Sequence, residues 1–210
     1  MTRNLMLTAA AVAALASFAA SSASSRTLAS APARGAFVLA AVTALPPYAP
    51  KIDPANFADK VTNPHFPLKP GTAFIYAGKR DGAPRRMEVT VTNETKVIMG
   101  VRCIVVRDVV TTSTELVEKT TDWYAQDAEG NVWYFGEDTA EYKHGKVTST
   151  AGTWTAGVDG ALPGIIMKAS PKVGDGYRQE YRPGVGFVGS SGMVNGHHEE
   201  VKLTKILKSE

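Results

Sequence analysis

The sequence predicts an all-β protein, either one antiparallel curved sheet or a partly open barrel. Three features carry that prediction. Met87, Val89 and Val91 alternate with Glu88, Thr90 and Thr92, the period-two pattern of a strand with one face in a core. Turn dipeptides such as Asp81-Gly82 and Asn195-Gly196 stand between β-rich runs. No stretch of the body carries the 3.6-residue apolar repeat of a long helix, and no blade motif recurs as a propeller would require.

Strands are expected at short spacing from Asn63 onward. Thr72–Tyr76 follows the Pro70-Gly71 turn, and the strand around Met87–Thr92 follows Asp81-Gly82. Val97–Met99 and Val101–Val110 continue on either side of Gly100. Leu116–Ala125 leads through the Glu129-Gly130-Asn131 turn to Val132–Phe135, then to Glu141–Lys143. His144-Gly145 turns into Lys146–Trp154, and a Gly/Pro-rich loop is expected over Thr155–Gly174. Tyr177–Arg182, Phe187–Val194 and His198–Leu207 close the list, which comes to about ten strands. Consecutive hairpins of this kind build antiparallel sheet.

The N-terminus reads as an address. Arg3 precedes an uncharged Ala-rich run, Leu5–Ala20, and small residues follow at Ser21-Ser22-Ala23. That is the layout of a secretory signal peptide, expected over residues 1–23 and placing the protein outside the cytoplasm, secreted or periplasmic. The run is short of the ~20 residues a membrane helix needs. No Cys lies near the cleavage site to take a lipid anchor. A second apolar stretch, Ala36–Leu45, is too short to span, so the mature protein is not expected to cross a membrane. Pro46, Pro47, Pro50 and Pro54 break regular structure, so residues 24–62 read as a linker. One helical turn is expected within it, capped by Asp53 with Pro54 in first position. The domain proper is expected over 63–210, long enough to bury its own core.

Among 210 residues, Lys and Arg number 23 and Asp and Glu 20, with no basic cluster, which argues against a nucleic-acid partner. The single cysteine, Cys103, excludes an internal disulfide. It sits among Val101, Ile104, Val105 and Val106 and reads as a buried hydrophobe; a nucleophilic or redox role would need a His brought to it in space.

Asn63-Pro64-His65-Phe66-Pro67-Leu68-Lys69-Pro70-Gly71-Thr72, Asp122-Trp123-Tyr124-Ala125-Gln126-Asp127 and Gly130-Asn131-Val132-Trp133-Tyr134-Phe135-Gly136-Glu137-Asp138 form a recognisable signature. Gly157-Val158-Asp159-Gly160-Ala161, Pro163-Gly164-Ile165-Ile166-Met167 and Lys172-Val173-Gly174-Asp175 extend it. Over about residues 63–207 the chain resembles a group of uncharacterised secreted bacterial all-β proteins, loosely similar to lipoprotein-carrier half-barrels. The resemblance implies a periplasmic β-domain and brings no catalytic residues with it. It also implies a shortened copy, because the direct join Tyr181-Arg182-Pro183-Gly184 replaces a longer segment in such relatives.

Aromatic residues are the main functional signal. Trp123 and Tyr124 lie on one strand, and Trp133, Tyr134 and Phe135 on the next. Alternation sends neighbours to opposite faces, so one set enters the core and the other can line a cleft for a lipid, glycan or aromatic ligand. Trp123, Tyr124, Trp133 and Trp154 are the expected ligand-binding aromatics, backed by Ile165 and Met167 from the long apolar loop. The expected function is a binding or envelope-structural module holding a hydrophobic or amphiphilic ligand, with no metal or other cofactor. The alternative is a metal-dependent or acid–base hydrolase using Asp122, Asp127, Glu129, Glu137, Asp138 and Glu141 with His198.

Other patterns carry less. Asp127–Asn131 has alternate oxygen ligands, as a calcium loop might, but a β-turn accounts for Gly130 and Asn131. His197-His198-Glu199-Glu200 lacks the His-Glu-x-x-His spacing and reads as a polar edge. Gly184–Gly189 spells G-x-G-x-x-G without the βαβ unit that motif needs, and Gly189–Gly192 falls short of a nucleophile elbow.

Overall fold

A computed structural model describes residues 48–172, 180–194 and 197–208. The expected signal peptide, Ala36–Leu45 and the Asn195-Gly196 turn lie outside these residues. The described residues form twelve strands: β1 (Phe57–Ala58), β2 (Thr72–Arg80), β3 (Ala83–Ile98), β4 (Val101–Thr111), β5 (Leu116–Asp127), β6 (Val132–Lys143), β7 (Lys146–Ser149), β8 (Trp154–Thr155), β9 (Gly164–Met167), β10 (Glu180–Arg182), β11 (Gly186–Val194) and β12 (His197–Lys208). They make one antiparallel sheet, ordered β10-β11-β12-β2-β3-β4-β5-β6-β7, with β1 added to β5 and with β8 and β9 added to β6. The sheet does not close into a barrel. The all-β antiparallel expectation is met.

Three details differ from the sequence reading. Val132–Lys143 is one continuous strand, not two. The chain from Lys146 to Trp154 breaks after Ser149. Gly164–Met167, expected in a loop, pairs with β6 in the register Val132↔Met167 and Trp133↔Ile165. Ile166 and Met167 pack on the inner core, and that burial draws the segment into the sheet.

The folded unit also begins before Asn63. Residues 52–61 were expected to end a linker, yet Val61 is buried, and Ile52 and Phe57 pack against the sheet. Apolar burial overrides the prolines. Asp53 caps a 3₁₀ turn, Pro54–Asn56, its carboxylate accepting from the Ala55 N–H at 3.0 Å. The turn is placed as the sequence reads.

Two apolar cores lie on opposite faces. The larger, inner core joins Phe66, Phe74, Tyr76, Val89, Tyr124, Tyr134 and Phe187, among others, from β2 through β11. The smaller, outer core joins Ile98, Val101, Cys103, Val105, Trp123 and Phe135. Strand alternation sorts them: on β4, Cys103 and Val105 go outward, while Ile104 and Val106 go inward.

Asn63-Pro64-His65-Phe66-Pro67-Leu68 is a plug across one end of the inner face. Phe66 packs edge-on to Tyr124 at 5.2 Å, and Leu68 and Val61 form a bridge pair. The buried Asn63 amide donates to the Gly130 and Lys168 carbonyls at 2.8 and 3.1 Å. The Gln126 side-chain oxygen accepts from the Thr62 and Asn63 N–H groups. The Pro64 carbonyl accepts from Gly184 at 2.7 Å. The plug thus ties the β5–β6 turn to the β10–β11 turn.

Candidate functional site

The inner face carries a buried acidic field beside the aromatic core. Glu118, Thr120 and Asp122 alternate inward along β5, in line with Tyr124. Across the sheet they face Glu141, Thr139 and Glu137 of β6, and on the other side Asp108 of β4 faces Thr120. All seven are buried.

A β-bulge sets this arrangement. The register passes from Tyr124↔Tyr134 to Trp123↔Gly136, so Phe135 is the extra residue. Simple alternation from Tyr134 would turn Asp138 inward and Glu137 outward. The bulge reverses the phase: Glu137, Thr139 and Glu141 are buried and Asp138 is exposed. Gly136 permits it with φ +133°, and a Cβ there would stand 2.3 Å from the Trp154 carbonyl oxygen.

Burial raises three of these acids, Asp122, Glu137 and Asp108. The Asp122 carboxyl is pushed up to about 8, chiefly by desolvation, although the Tyr134 hydroxyl, donating to it at 2.8 Å, pulls it back. Glu137 is pushed up to about 7 by the same cause, again opposed by Tyr134. Asp108 lies well above the carboxylate range, from burial first and then the charges of Asp122, Glu118 and Glu137. Among the described residues, Asp108 Oδ1 and Glu137 Oε2 have no hydrogen-bond partner. The Thr120 hydroxyl donates to Glu118 at 3.1 Å and shares a 2.7 Å hydrogen bond with Thr139.

Beyond this field, at the end away from the plug, the inner face opens into a shallow groove whose enclosed space is about 40 Å³. Tyr76, Met87, Val110, Val117 and Val201 form its apolar wall, and Arg80, Arg85, Glu118 and Glu199 its polar margin. The Arg80 guanidinium lies 3.4 Å from Glu199. Gly78 is needed at this wall, since a Cβ would meet the Glu200 carbonyl oxygen of β12 at 2.2 Å.

Of the six residues expected to bind ligand, Trp123, Trp133 and Trp154 meet on the outer core, and the six do not share one pocket. Tyr124 and Met167 are sealed in the inner core, with Tyr124 stacked on Tyr134 at 5.0 Å. Trp123 is buried in the outer core, under the Lys96 ammonium, which stands 3.3 Å from the ring centroid. Trp154 is half-buried between the cores and meets Tyr134 edge-on. Trp133 and Ile165 share a cleft, where Trp133 is half-buried and Ile165 is 44% exposed.

The acidic group expected from sequence separates in space. Asp122, Glu137 and Glu141 go inward. Asp127 organises the β5–β6 turn, accepting from the Asn131 backbone and side-chain amides at 2.8 and 2.9 Å and from the Trp133 indole at 2.7 Å. Glu129 and Asp138 are exposed. His198 is exposed while its neighbour Glu199 is buried, so this imidazole does not join the acids. Among the described residues, no group of three His, Cys, Asp or Glu is arranged to hold a metal ion. Asp108 and Glu118 join the site without being expected there; their signal is the alternation Val106–Asp108–Val110 and Glu118–Thr120–Asp122 on core-facing positions.

No family model, curated protein or solved structure matches this chain. Functional inference therefore rests on the geometry.

Proposed function

We propose that the protein is an exported binding module that holds the apolar part of a small amphiphilic molecule in the groove of the inner face. The observation that supports this most is the composition of that groove: an apolar wall from β2, β3, β4, β5 and β12, with Arg80, Arg85, Glu118 and Glu199 at its margin. Such a site gains from burying a chain against Met87, Val110 and Val117 while a polar head stays with the charged groups. The plug keeps the opposite end filled, so a ligand enters from the groove side. Export rests on residues 1–23, and N-terminal sequencing of processed material tests it.

The acid–base alternative draws on Asp122 and Glu137, whose raised pKa values suit proton transfer. Both carboxyls are buried and His198 points elsewhere, so binding is the better-supported reading.

Titration with a fluorescent fatty acid and a lysophospholipid is the test. Saturable binding is expected, weakened at least about tenfold by Val117→Trp, which fills the half-buried groove wall. Absence of saturable binding, or full binding by a folded Val117→Trp variant, overturns the proposal.

A further inference from the structure

A second site, independent of the inner groove, lies on the outer side of the β5–β6 turn. It is a cleft of about 330 Å³ between the 3₁₀ turn and the start of β6. Its apolar surface is Trp133 with the exposed Ile165, which the β6–β9 register sets side by side. Phe57 meets the Trp133 ring edge-on at 6.2 Å. The cleft is held in shape before any ligand arrives. Asp127 takes the indole N–H and both Asn131 amides, Asn131 Oδ1 accepts from the Ala169 N–H, and the Asn56 carbonyl accepts from Ala128 at 2.7 Å.

These bonds use up Asp127 and Asn131 but leave the margin available. Lys51 and the Asn56 amide side chain make no hydrogen bond among the described residues, and Asp53 and Glu129 each keep a carboxylate oxygen free. The cleft therefore offers an indole and an aliphatic side chain ringed by both donors and acceptors.

We infer that this cleft binds a neutral sugar. A sugar ring has an apolar C–H face that stacks on an indole, whose ring face is electron-rich. Its hydroxyls donate and accept at once, and that matches a margin of Lys51, Asn56, Asp53 and Glu129. A phosphorylated or acidic ligand fits less well, because one lysine faces Asp53, Glu129 and Asp127. An alkyl chain would leave the margin groups desolvated without partners. The space lies at the small end of ligand pockets and suits a single sugar ring.

The test is titration of the protein with glucose, galactose, N-acetylglucosamine and their β-linked disaccharides at millimolar concentration, read by calorimetry and tryptophan fluorescence. Saturable binding to at least one is expected. Asn56→Ala and Glu129→Ala, both exposed positions, should each weaken it about tenfold, as loss of one ligand hydrogen bond does. Val117→Trp in the inner groove should leave it unchanged, which separates this site from the amphiphile site. The inference fails if none of these sugars binds, or if both cleft variants bind as the parent does.

Discussion

Asp122 on β5 faces Glu137 on β6 across the sheet, and both carboxyls are buried beside the Tyr134 hydroxyl. The pair sits one step from the aromatic core, with Thr120 and Thr139 as the next pair along. Two acids opposite one another in a dry setting are stable together only while protons are kept.

This sets a pH dependence. Folding raises Asp122 to about 8 and Glu137 to about 7, so between the ordinary carboxylate range and those values the native state holds protons that the unfolded chain releases. Stability from these groups is complete below the unfolded pKa and is lost as pH rises through the folded values. The unfolding free energy should fall by a few kcal/mol from about pH 5 to about pH 9, and denaturation midpoints with it. Asp122→Asn with Glu137→Gln should flatten that slope. A midpoint that stays flat over the same range would show the acids to be ionised in the native state.

Gly136→Ala should destabilise the fold by more than about 2 kcal/mol, because the new Cβ meets the Trp154 carbonyl oxygen and the bulge needs positive φ. Gly145→Ala is the comparison: its φ is +73°, yet nothing lies within 4 Å, so only roughly 1–2 kcal/mol of backbone strain is expected. Equal losses in urea denaturation would remove the role given to the bulge.

Cys103 should react slowly. Burial pushes its thiol up to about 12, although the Lys96 charge draws it back, and the side chain is closed off in the outer core. Iodoacetamide labelling of native protein at about pH 8 should be far slower than in denaturant. Matching rates would place the thiol at the surface.

The aromatic residues should divide by burial. Trp123→Ala and Tyr124→Ala each leave a cavity, one in each core, and should cost roughly 3–5 kcal/mol. Trp133→Ala should cost less, since that ring is half-buried at a cleft. Thermal unfolding of the three variants checks the order, and a Trp133 loss as large as that at Tyr124 would contradict it.

What the sequence determined by itself was local. Alternation in Met87–Thr92 and the turn at Asp81-Gly82 led directly to β2 and β3, and Asp53 before Pro54 to the 3₁₀ turn, because each is a property of adjacent residues. Glu118, Thr120 and Asp122 sharing a face with Tyr124 was legible in the same way. Tertiary structure alone decided which way β6 presents its acids. One residue of slip at Phe135 turns Glu137 inward and Asp138 outward, and it depends on how Gly136 meets Trp154 of a strand eighteen residues further along the chain. The drawing of Ile165–Met167 into the sheet and the docking of residues 52–61 were also settled there. Each depends on which distant apolar surface is available to cover, and periodicity along a strand carries no record of that.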